Sequence, residues 1–224
     1  LLKDGKIKIA IQEERMNREK FTKKFPIQSI RSVLKYEKIN FSDIKYVAIG
    51  WDPSQHMIRF NPLISTFRSL REHNFYTVSD NLLKFKTERD MGTYTSLKHD
   101  NKKFPEIFHV NHHLSHAANA FFLSNFKSAA ILTCDYRGEY ESTTFNVGRG
   151  NQIKKIQSIN LPNSLGKLYA TFTELLGYKS DNDEWKVMAM SAYNVNCKDE
   201  IKKIKKCYRL IDNGNFELTS KYFE

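Results

Sequence analysis

A pair of histidines four positions apart, followed by an apolar run that ends in an aspartate, constrains the fold of this chain more than any other feature. On a helix that begins near His112, this residue and His116 project from one face, about 40° apart around the axis. The run Ala129–Cys134 has the length and composition of a buried strand, and Asp135 follows it directly. Ligands of open α/β sheets bind beyond the carboxyl ends of strands, so we expect the imidazoles and the carboxylate to converge.

These residue types favour a metal site. Two imidazole nitrogens and one carboxylate suit iron or zinc, and three protein ligands leave coordination positions open for substrate oxygens. His113 is expected to point elsewhere. The apolar positions of the helix predict a core stripe on the side opposite the histidine pair: Leu114, Ala117, Ala118, Phe121 and Phe122. Taken alone, the pair is also compatible with two surface histidines on a solvated helix face.

An acidic turn that contains a glycine follows Asp135. The alternating segment Glu141–Gly148 then predicts the return strand of a hairpin. Backbone amides near Gly138 can approach an oxyanion closely, and a carboxylate such as Glu139 can orient a metal or water. The alternative is an ordinary turn.

A further helix is well delimited by its end signals. Ser164 is placed to cap the free amides at its start, and Gly177 is placed to end it. Its expected buried stripe consists of Leu165, Leu168, Phe172 and Leu175. The start of this helix, with Gly166 in the first turn, can receive an anion if it is exposed. The alternative is an ordinary amphipathic helix.

Charged residues near the C-terminal part of the chain admit two interpretations. Glu184 and Lys186 are candidates for a charged pair at the mouth of a cleft. Both residue types are equally typical of a solvated helix start. The sequence alone does not separate these two interpretations.

The first twenty residues predict a hairpin followed by a charged segment. Asp4–Gly5 is a turn signal, and isoleucines at alternate positions predict a half-buried strand, namely Ile7, Ile9 and Ile11. The run Glu13–Lys20 is by default a solvated loop. Its cations suit a phosphorylated ligand, with arginine able to make bidentate contacts: Arg15, Arg18 and Lys20.

Composition narrows the class of protein. The 36 basic and 25 acidic residues give a net charge of +11, which attracts anionic substrates. The lysines are scattered and carry no aromatic-interleaved patch, so we predict no nucleic-acid partner. Three cysteines without zinc spacing, with Cys134 in the expected buried strand, predict a reduced, cytoplasmic protein. No apolar run is long enough to span a bilayer, so no membrane partner is expected.

Five motifs in order resemble the N-terminal domain of the NodU/CmcH family of O-carbamoyltransferases. They are His-His-x-x-His-Ala-Ala at 112–118, Asp-x-x-Gly-Glu-x-x-Ser at 135–142, Pro-x-Ser-Leu-Gly-x-x-Tyr-x-x-x-Thr at 162–173, Leu-Gly-Tyr at 176–178 and Glu-x-Lys-x-Met at 184–188. The segment Glu-Glu-Arg-x-x-Arg at 13–18 also resembles the family. Several spaced motifs in the right order are more specific than any one of them.

The resemblance implies a fold and a domain organisation. The family is similar to acetate kinase, sugar kinases and actin, which implies an actin/sugar-kinase-like α/β lobe with a mixed sheet and flanking helices. Residues 1–224 then form a partial N-terminal carbamoyltransferase domain that lacks the family's first strand and C-terminal half. Residues 51–103 carry no resemblance and, with many charges and aromatic residues, are predicted to be a mostly helical insertion.

The resemblance also implies an activity. A separate C-terminal domain of the same chain joins ATP and carbamoyl phosphate into carbamoyl adenylate, and this domain passes the carbamoyl group to a hydroxyl of a sugar or natural product. Iron is favoured as the metal and zinc is possible, with His112, His116 and Asp135 as ligands. The implied catalytic residues are Asp135, Glu139 and Lys186. The implied ligand-binding residues are Arg15, Arg18, Lys20, Gly138, Ser164, Gly166 and Glu184.

Two alternative functions remain open from the sequence. One is an ATPase of the type that threonylcarbamoylates transfer RNA, which shares the histidine pair. The other is a degenerate, non-catalytic binding module. Departures from the family pattern favour the second alternative, because Tyr136 and Trp185 stand where the family has glycine. Ala192 and Asn194 likewise replace a proline and a glycine of the family pattern.

Overall fold

The computed structural model describes residues 1–22, 24–52, 105–193 and 197–219, which contain small β-sheets and six α-helices. This confirms the predicted α/β class, while the actin/sugar-kinase arrangement stays a prediction. The chain divides into two compact units, one of 1–49 with 53–109 and one of 50–52 with 110–224. The insertion predicted at 51–103 lies, from residue 53 onward, outside the described residues.

The first unit begins with a small hairpin. Strands β1 (Leu2–Lys3) and β2 (Lys6–Ile7) pair antiparallel across Asp4 and Gly5, whose φ angles are +53° and +70°. Positive φ at both central residues is the geometry of a two-residue hairpin turn, so the predicted turn is confirmed. The predicted longer strand is wrong, because β1 offers only two residues for pairing and Ile7 is 51% exposed.

The charged run expected as a loop contains a short helix. Helix α1 (Glu13–Asn17) precedes helix α2 (Ile27–Glu37). The buried carboxylate of Glu13 accepts hydrogen bonds from the backbone N–H groups of Gln28 at 3.2 Å and Ser29 at 2.8 Å. Because a helix leaves its first N–H groups unpaired, Glu13 supplies the cap that α2 lacks in its own sequence.

The first unit also contains a parallel strand pair. Strand β3 (Tyr46–Ile49) pairs with strand β4 (Glu106–His109), with Val47 opposite Ile107. A 3₁₀ turn at Phe41–Asp43 leads into β3. The two strands therefore belong to one sheet although most of the chain between them lies outside the described residues.

The second unit is built on helix α3 and an antiparallel three-stranded sheet. Helix α3 (His112–Phe122) is followed by β5 (Ser128–Cys134), β6 (Glu141–Arg149) and β7 (Gln152–Asn160), which pair in that order. The predicted return strand is thus confirmed.

Only one face of β5 is buried. Ile131 and Thr133 are buried, whereas Leu132 is 64% exposed and Cys134 is also exposed. The expectation of a buried Cys134 is wrong, since side chains alternate along a strand and a single face of β5 packs against α3.

The core-facing stripe of α3 differs from the predicted one. His113, Ala117 and Phe121 are buried, whereas Leu114 and Phe122 are 40% and 50% exposed. Ala117 and Phe121 pack with Ile131 of the sheet. The buried face is rotated toward His113 because the sheet offers polar partners that satisfy an imidazole in the core.

The C-terminal part adds helices and a second hairpin. These are α4 (Leu165–Leu175), α5 (Glu184–Met190), α6 (Lys198–Ile204) and the antiparallel strands β8 (Tyr208–Ile211) and β9 (Asn215–Leu218). Residues 220–224 lie outside the described residues. Across the described part of the chain, no helix has the length and apolar character needed to cross a membrane.

Helix α4 has the predicted ends but not the predicted stripe. Ser164 accepts a hydrogen bond from the N–H of Lys167 at 3.0 Å, and Gly177 has φ +82°. Leu168 is buried as expected, whereas Leu165 and Leu175 are 40% and 76% exposed. The buried positions besides Leu168 are Ala170 and Thr173.

Candidate metal centre

The three side chains predicted as metal ligands lie together in the second unit. Asp135 Oδ2 is 2.6 Å from Nε2 of His112 and 3.2 Å from Nε2 of His116, and the two Nε2 atoms are 3.1 Å apart. One ligand atom from each residue lies within 4.8 Å of the others. The geometry brings this set together as the sequence predicted, while occupancy by a metal stays a prediction.

The local structure explains this convergence. His112 is the first residue of α3 and His116 lies one turn later, so both rings leave the same side of the helix. Asp135 is the first residue after β5, and its N–H donates to the Ser142 carbonyl at 2.9 Å, which continues the hairpin pairing.

The donor set fits a transition metal. Ligands bound about 2.1 Å from one zinc or iron ion lie roughly 3.0–3.4 Å from each other, close to two of the three separations in the cluster. The His116 side chain is 52% exposed, against 24% for His112. One side of the cluster is therefore open to incoming ligand atoms.

Contacts at both ring nitrogens orient the imidazole of His112. Its Nδ1 lies 3.3 Å from the Gly50 carbonyl, which only accepts, so Nδ1 carries the hydrogen and Nε2 faces the cluster. The edge of the Trp51 ring packs against the imidazole, with ring centroids 5.5 Å apart. The hydrogen bond to Asp135 raises the pKa of His112, although burial acts in the opposite direction.

Asp135 is held as an anion. Burial by itself raises the pKa of this carboxyl, but the hydrogen bonds from His112 and the Tyr136 N–H, with the histidine charges, lower it to about 2. The Tyr136 N–H donates to Oδ1 at 2.6 Å, which leaves Oδ2 to face the imidazoles. The carboxylate is thus ionised and oriented for a cation.

His113 points away from the cluster, as predicted, but it lies in the core, where it ends a directional chain of hydrogen bonds. Its Nε2 lies 2.9 Å from the Glu141 carbonyl and must donate, so a neutral ring accepts at Nδ1 from Thr133 Oγ1 at 2.7 Å. Thr144 then donates to Thr133 at 2.6 Å, and Asn146 donates to Thr144 at 2.7 Å. Burial lowers the pKa of His113, in agreement with a neutral ring.

Gly138, whose backbone was one candidate for binding an oxyanion, contacts protein atoms. Its N–H donates to the Glu141 carbonyl at 2.6 Å, and a Cβ at this position would lie 2.7 Å from Cδ2 of His113. The glycine therefore makes room for the buried imidazole. Its predicted role in ligand binding stays a prediction.

Glu139 is buried next to His112, and its carboxylate is hydrogen-bonded to protein donors. The residue is only 1% exposed, and the carboxylate accepts from the N–H groups of Asp52 and His112 and from the Asn111 side chain. The structure thus joins Glu139 to the main chain of His112, one of the predicted metal ligands.

The start of α4 packs against the strand end that carries Asp135. The Ser164 hydroxyl is fully buried and donates to the Tyr136 carbonyl at 2.7 Å. A Cβ on Gly166 would lie 2.6 Å from the Cα and N of Tyr136. Gly166 therefore lets the start of α4 approach the backbone of Tyr136 closely, and the predicted binding of an anion at Ser164 and Gly166 stays a prediction.

The predicted Glu184–Lys186 pair is replaced by other contacts. Lys186 forms an ion pair with Asp183 at 2.8 Å, and Glu184 accepts from the N–H of Asp181 at 2.7 Å. Both residues therefore serve the start of α5, as the solvated-helix interpretation expects. Their predicted proximity to a ligand stays a prediction.

The cations of the charged segment belong to the first unit. The Arg15 side chain is 71% exposed and lies 4.0 Å from Glu14, while Arg18 ends α1 in a left-handed conformation with φ +62°. Their proposed phosphate contacts, with that of Lys20, stay predictions.

Sequence analysis missed the groups that orient His112. Gly50, Asp52 and Asn111 carry no metal-ligand signature, although an asparagine directly before a helix is a capping signal. Asn111 does accept from the Leu114 N–H at 2.9 Å. The contacts of Gly50 with His112 and of Asp52 with Glu139 join residues that are far apart in the chain, so residue spacing and composition do not indicate them.

Comparisons with known proteins agree with the motif order. The profile of the family described as Carbamoyltransferase N-terminus matches residues 1–224. An uncharacterized protein of Synechocystis sp., sll1178, is 34% identical over 202 residues, which are 86% of this chain and 32% of that protein. Nodulation protein NolNO of Sinorhizobium fredii is 31% identical over 219 residues, 97% of this chain and 30% of that protein.

A third relative is nodulation protein NolO of Bradyrhizobium diazoefficiens, 32% identical over 110 residues, which are 49% of this chain and 20% of that protein. The matched regions of the two longer alignments cover 32% and 30% of the relatives. The chain thus spans about a third of the length of these curated relatives.

Proposed function

Because the chain belongs to the carbamoyltransferase N-terminal family, we propose that its protein is an O-carbamoyltransferase. The protein transfers a carbamoyl group from carbamoyl adenylate to a hydroxyl of a sugar or natural product. ATP and carbamoyl phosphate are the co-substrates, and a further domain of the same protein joins them. The observation that carries the proposal is the convergence of His112, His116 and Asp135 in a chain of this family.

In this proposal the three side chains hold a divalent metal, with iron favoured and zinc possible. The donor set of two imidazoles and one carboxylate supports either metal. When bound, such a metal supplies Lewis acidity that polarises a carbonyl or phosphate oxygen. Gly50 orients the His112 ring and Tyr136 orients the Asp135 carboxylate, so both ligands are held before the metal arrives.

The proposed transfer is a substitution at the carbamoyl carbon. The acceptor oxygen forms a bond to that carbon, the bond from the carbon to the adenylate phosphate oxygen breaks, and AMP leaves with the electron pair. The hydroxyl proton passes to a basic group or to water. The open side next to His116 gives the reacting groups access to the site.

Charge supports binding of the phosphate-bearing substrates. The net charge of +11 attracts anions to the protein. We retain Lys186 as a proposed catalytic residue, and Arg15, Arg18 and Lys20 as proposed phosphate contacts. Arginine suits this role because its planar guanidinium forms paired hydrogen bonds with phosphate oxygens.

The test uses the protein made from its complete gene, incubated with ATP, carbamoyl phosphate and a panel of hydroxyl acceptors. We expect a carbamoylated product, together with pyrophosphate release that depends on carbamoyl phosphate. His112→Ala should abolish the product and leave pyrophosphate release intact. Absence of both activities in the wild-type protein, with all substrates supplied, would contradict the proposal.

A further inference from the structure

Glu139 has the contacts of a residue that positions the metal cluster. Its Oε1 accepts from the Asp52 N–H at 2.7 Å and from the His112 N–H at 3.0 Å. Its Oε2 accepts from Nδ2 of Asn111 at 2.8 Å and shares the His112 N–H at 3.1 Å. With 1% exposure, this carboxylate is directed at protein donors and not at solvent.

The contacts to Asn111 and His112 fix the first turn of α3. Asn111 accepts from the Leu114 N–H through Oδ1, which turns its Nδ2 toward Glu139. The His112 N–H is one of the helix N–H groups that no helical carbonyl can pair, and a carboxylate at a helix start is also favoured by the helix dipole. Glu139 therefore fixes the backbone from which the His112 ring projects.

The contact to Asp52 fixes the segment that orients the same ring. Within this segment, the Gly50 carbonyl lies against His112 Nδ1 and the Trp51 ring packs on the imidazole edge. One carboxylate thus joins the backbone that carries His112 to the segment that orients its side chain.

We propose that Glu139 is a positioning residue for the metal ligand His112, in place of the catalytic role expected from the sequence. The inference rests on the proposed metal centre for its function, whereas the contacts themselves do not require metal. Removal of a group that holds a metal ligand in place typically lowers metal affinity by about 10- to 100-fold.

The test variant is Glu139→Gln in the protein made from its complete gene. Glutamine keeps the shape but directs an NH₂ group at N–H donors, whichever way the amide is turned. Glu13→Gln is the matched control, because Glu13 is also a buried carboxylate that accepts from backbone N–H groups. Asn111→Ser is a milder second variant that keeps a capping side chain and removes the Nδ2 donor.

Two readouts are combined: hydrogen exchange of peptides containing residues 50–52 and 111–113 without metal, and Co²⁺ affinity by titration. In Glu139→Gln we expect faster exchange in both peptides and a Co²⁺ dissociation constant raised at least about 10-fold. Asn111→Ser should shift both readouts in the same direction by less, and Glu13→Gln should leave both unchanged.

The outcomes separate the two proposals. Unchanged exchange in Glu139→Gln and Asn111→Ser overturns the positioning role, whatever the Co²⁺ affinity. Faster exchange with unchanged Co²⁺ affinity also overturns the positioning role, because the segments 50–52 and 111–113 would then have no effect on how His112 binds metal. Faster exchange in a protein whose wild type binds no Co²⁺ supports the structural link and overturns the metal centre of the proposed function.

Discussion

The Ser164 hydroxyl donates to the main-chain carbonyl of Tyr136 at 2.7 Å, which joins the first turn of α4 to the residue directly after Asp135. Gly166 strengthens this junction because it lets the helix approach the Tyr136 backbone. The start of α4, where the sequence predicted anion binding, therefore supports the strand end that carries the predicted metal ligand Asp135.

Gly166→Ala tests this junction. The new Cβ would lie 2.6 Å from Tyr136 backbone atoms, so the helix or the strand end must move. We expect metal affinity to fall at least about 10-fold, because Asp135 is displaced. Thr171→Ala, at an exposed position of α4, is the control and should bind metal like the wild type. Equal affinity for Gly166→Ala and wild type would show that the junction does not position Asp135.

Thr133→Val tests the hydrogen-bond chain that ends at His113. The substitution removes the donor to His113 Nδ1 and the acceptor for Thr144, at nearly constant volume. We expect the free energy of unfolding to fall by about 1–3 kcal/mol, because buried polar groups lose their partners. Chemical denaturation measures the change.

Thr143→Val is the matched control for that experiment. Thr143 is a neighbouring buried threonine whose hydroxyl has a weaker acceptor, the sulfur of Cys134 at 3.7 Å. Thr143→Val should lower the free energy of unfolding clearly less than Thr133→Val does. Similar losses for the two variants would argue against a chain of directed hydrogen bonds.

Local signals predicted the elements around the centre well. The spacing of His112 and His116, and the position of Asp135 after an apolar run, depend only on helix and strand geometry. The end signals Ser164 and Gly177 act within one helical turn, and both operate as expected. These features required no knowledge of tertiary contacts.

Burial was predicted less well because it depends on distant partners. Leu114 fits an apolar stripe by spacing, yet the buried position is His113, whose polar partners come from the sheet. Glu139 was predicted to orient a metal or water from an acidic turn, whereas its carboxylate accepts a hydrogen bond from Asp52, 87 positions away in the chain. Sequence spacing contains no signal for such a contact.

Glu13 predicts a pH dependence of stability in the first unit. Burial by itself raises the pKa of Glu13, but hydrogen bonds from the backbone of Ser29 and Gln28 outweigh it, so the pKa lies below its ordinary value of 4.5. The carboxylate therefore stabilises the fold fully above pH 4.5, and this contribution is lost as the pH falls through the lowered pKa.

Glu13→Gln should remove that pH dependence. It should also lower the free energy of unfolding by about 1 kcal/mol near neutral pH, in the range of other helix caps. Hydrogen exchange of peptides from α2, followed from neutral to acidic pH, measures both the pH dependence and the loss of stability. Glu14→Gln is the control for the loss of one charge from the same helix. A wild-type acid dependence that persists unchanged in Glu13→Gln would rule out this residue as its source.

The metal content of the anaerobically purified protein, made from its complete gene, tests the central claim most directly. It is measured beside His112→Ala and His116→Ala, with His109→Ala as a control and with pyrophosphate release that depends on carbamoyl phosphate run on the same samples. We predict near-stoichiometric iron or zinc that is lost in both cluster variants and kept in the control, while pyrophosphate release persists. A metal-free wild type, or metal retained in both folded cluster variants, would contradict the account.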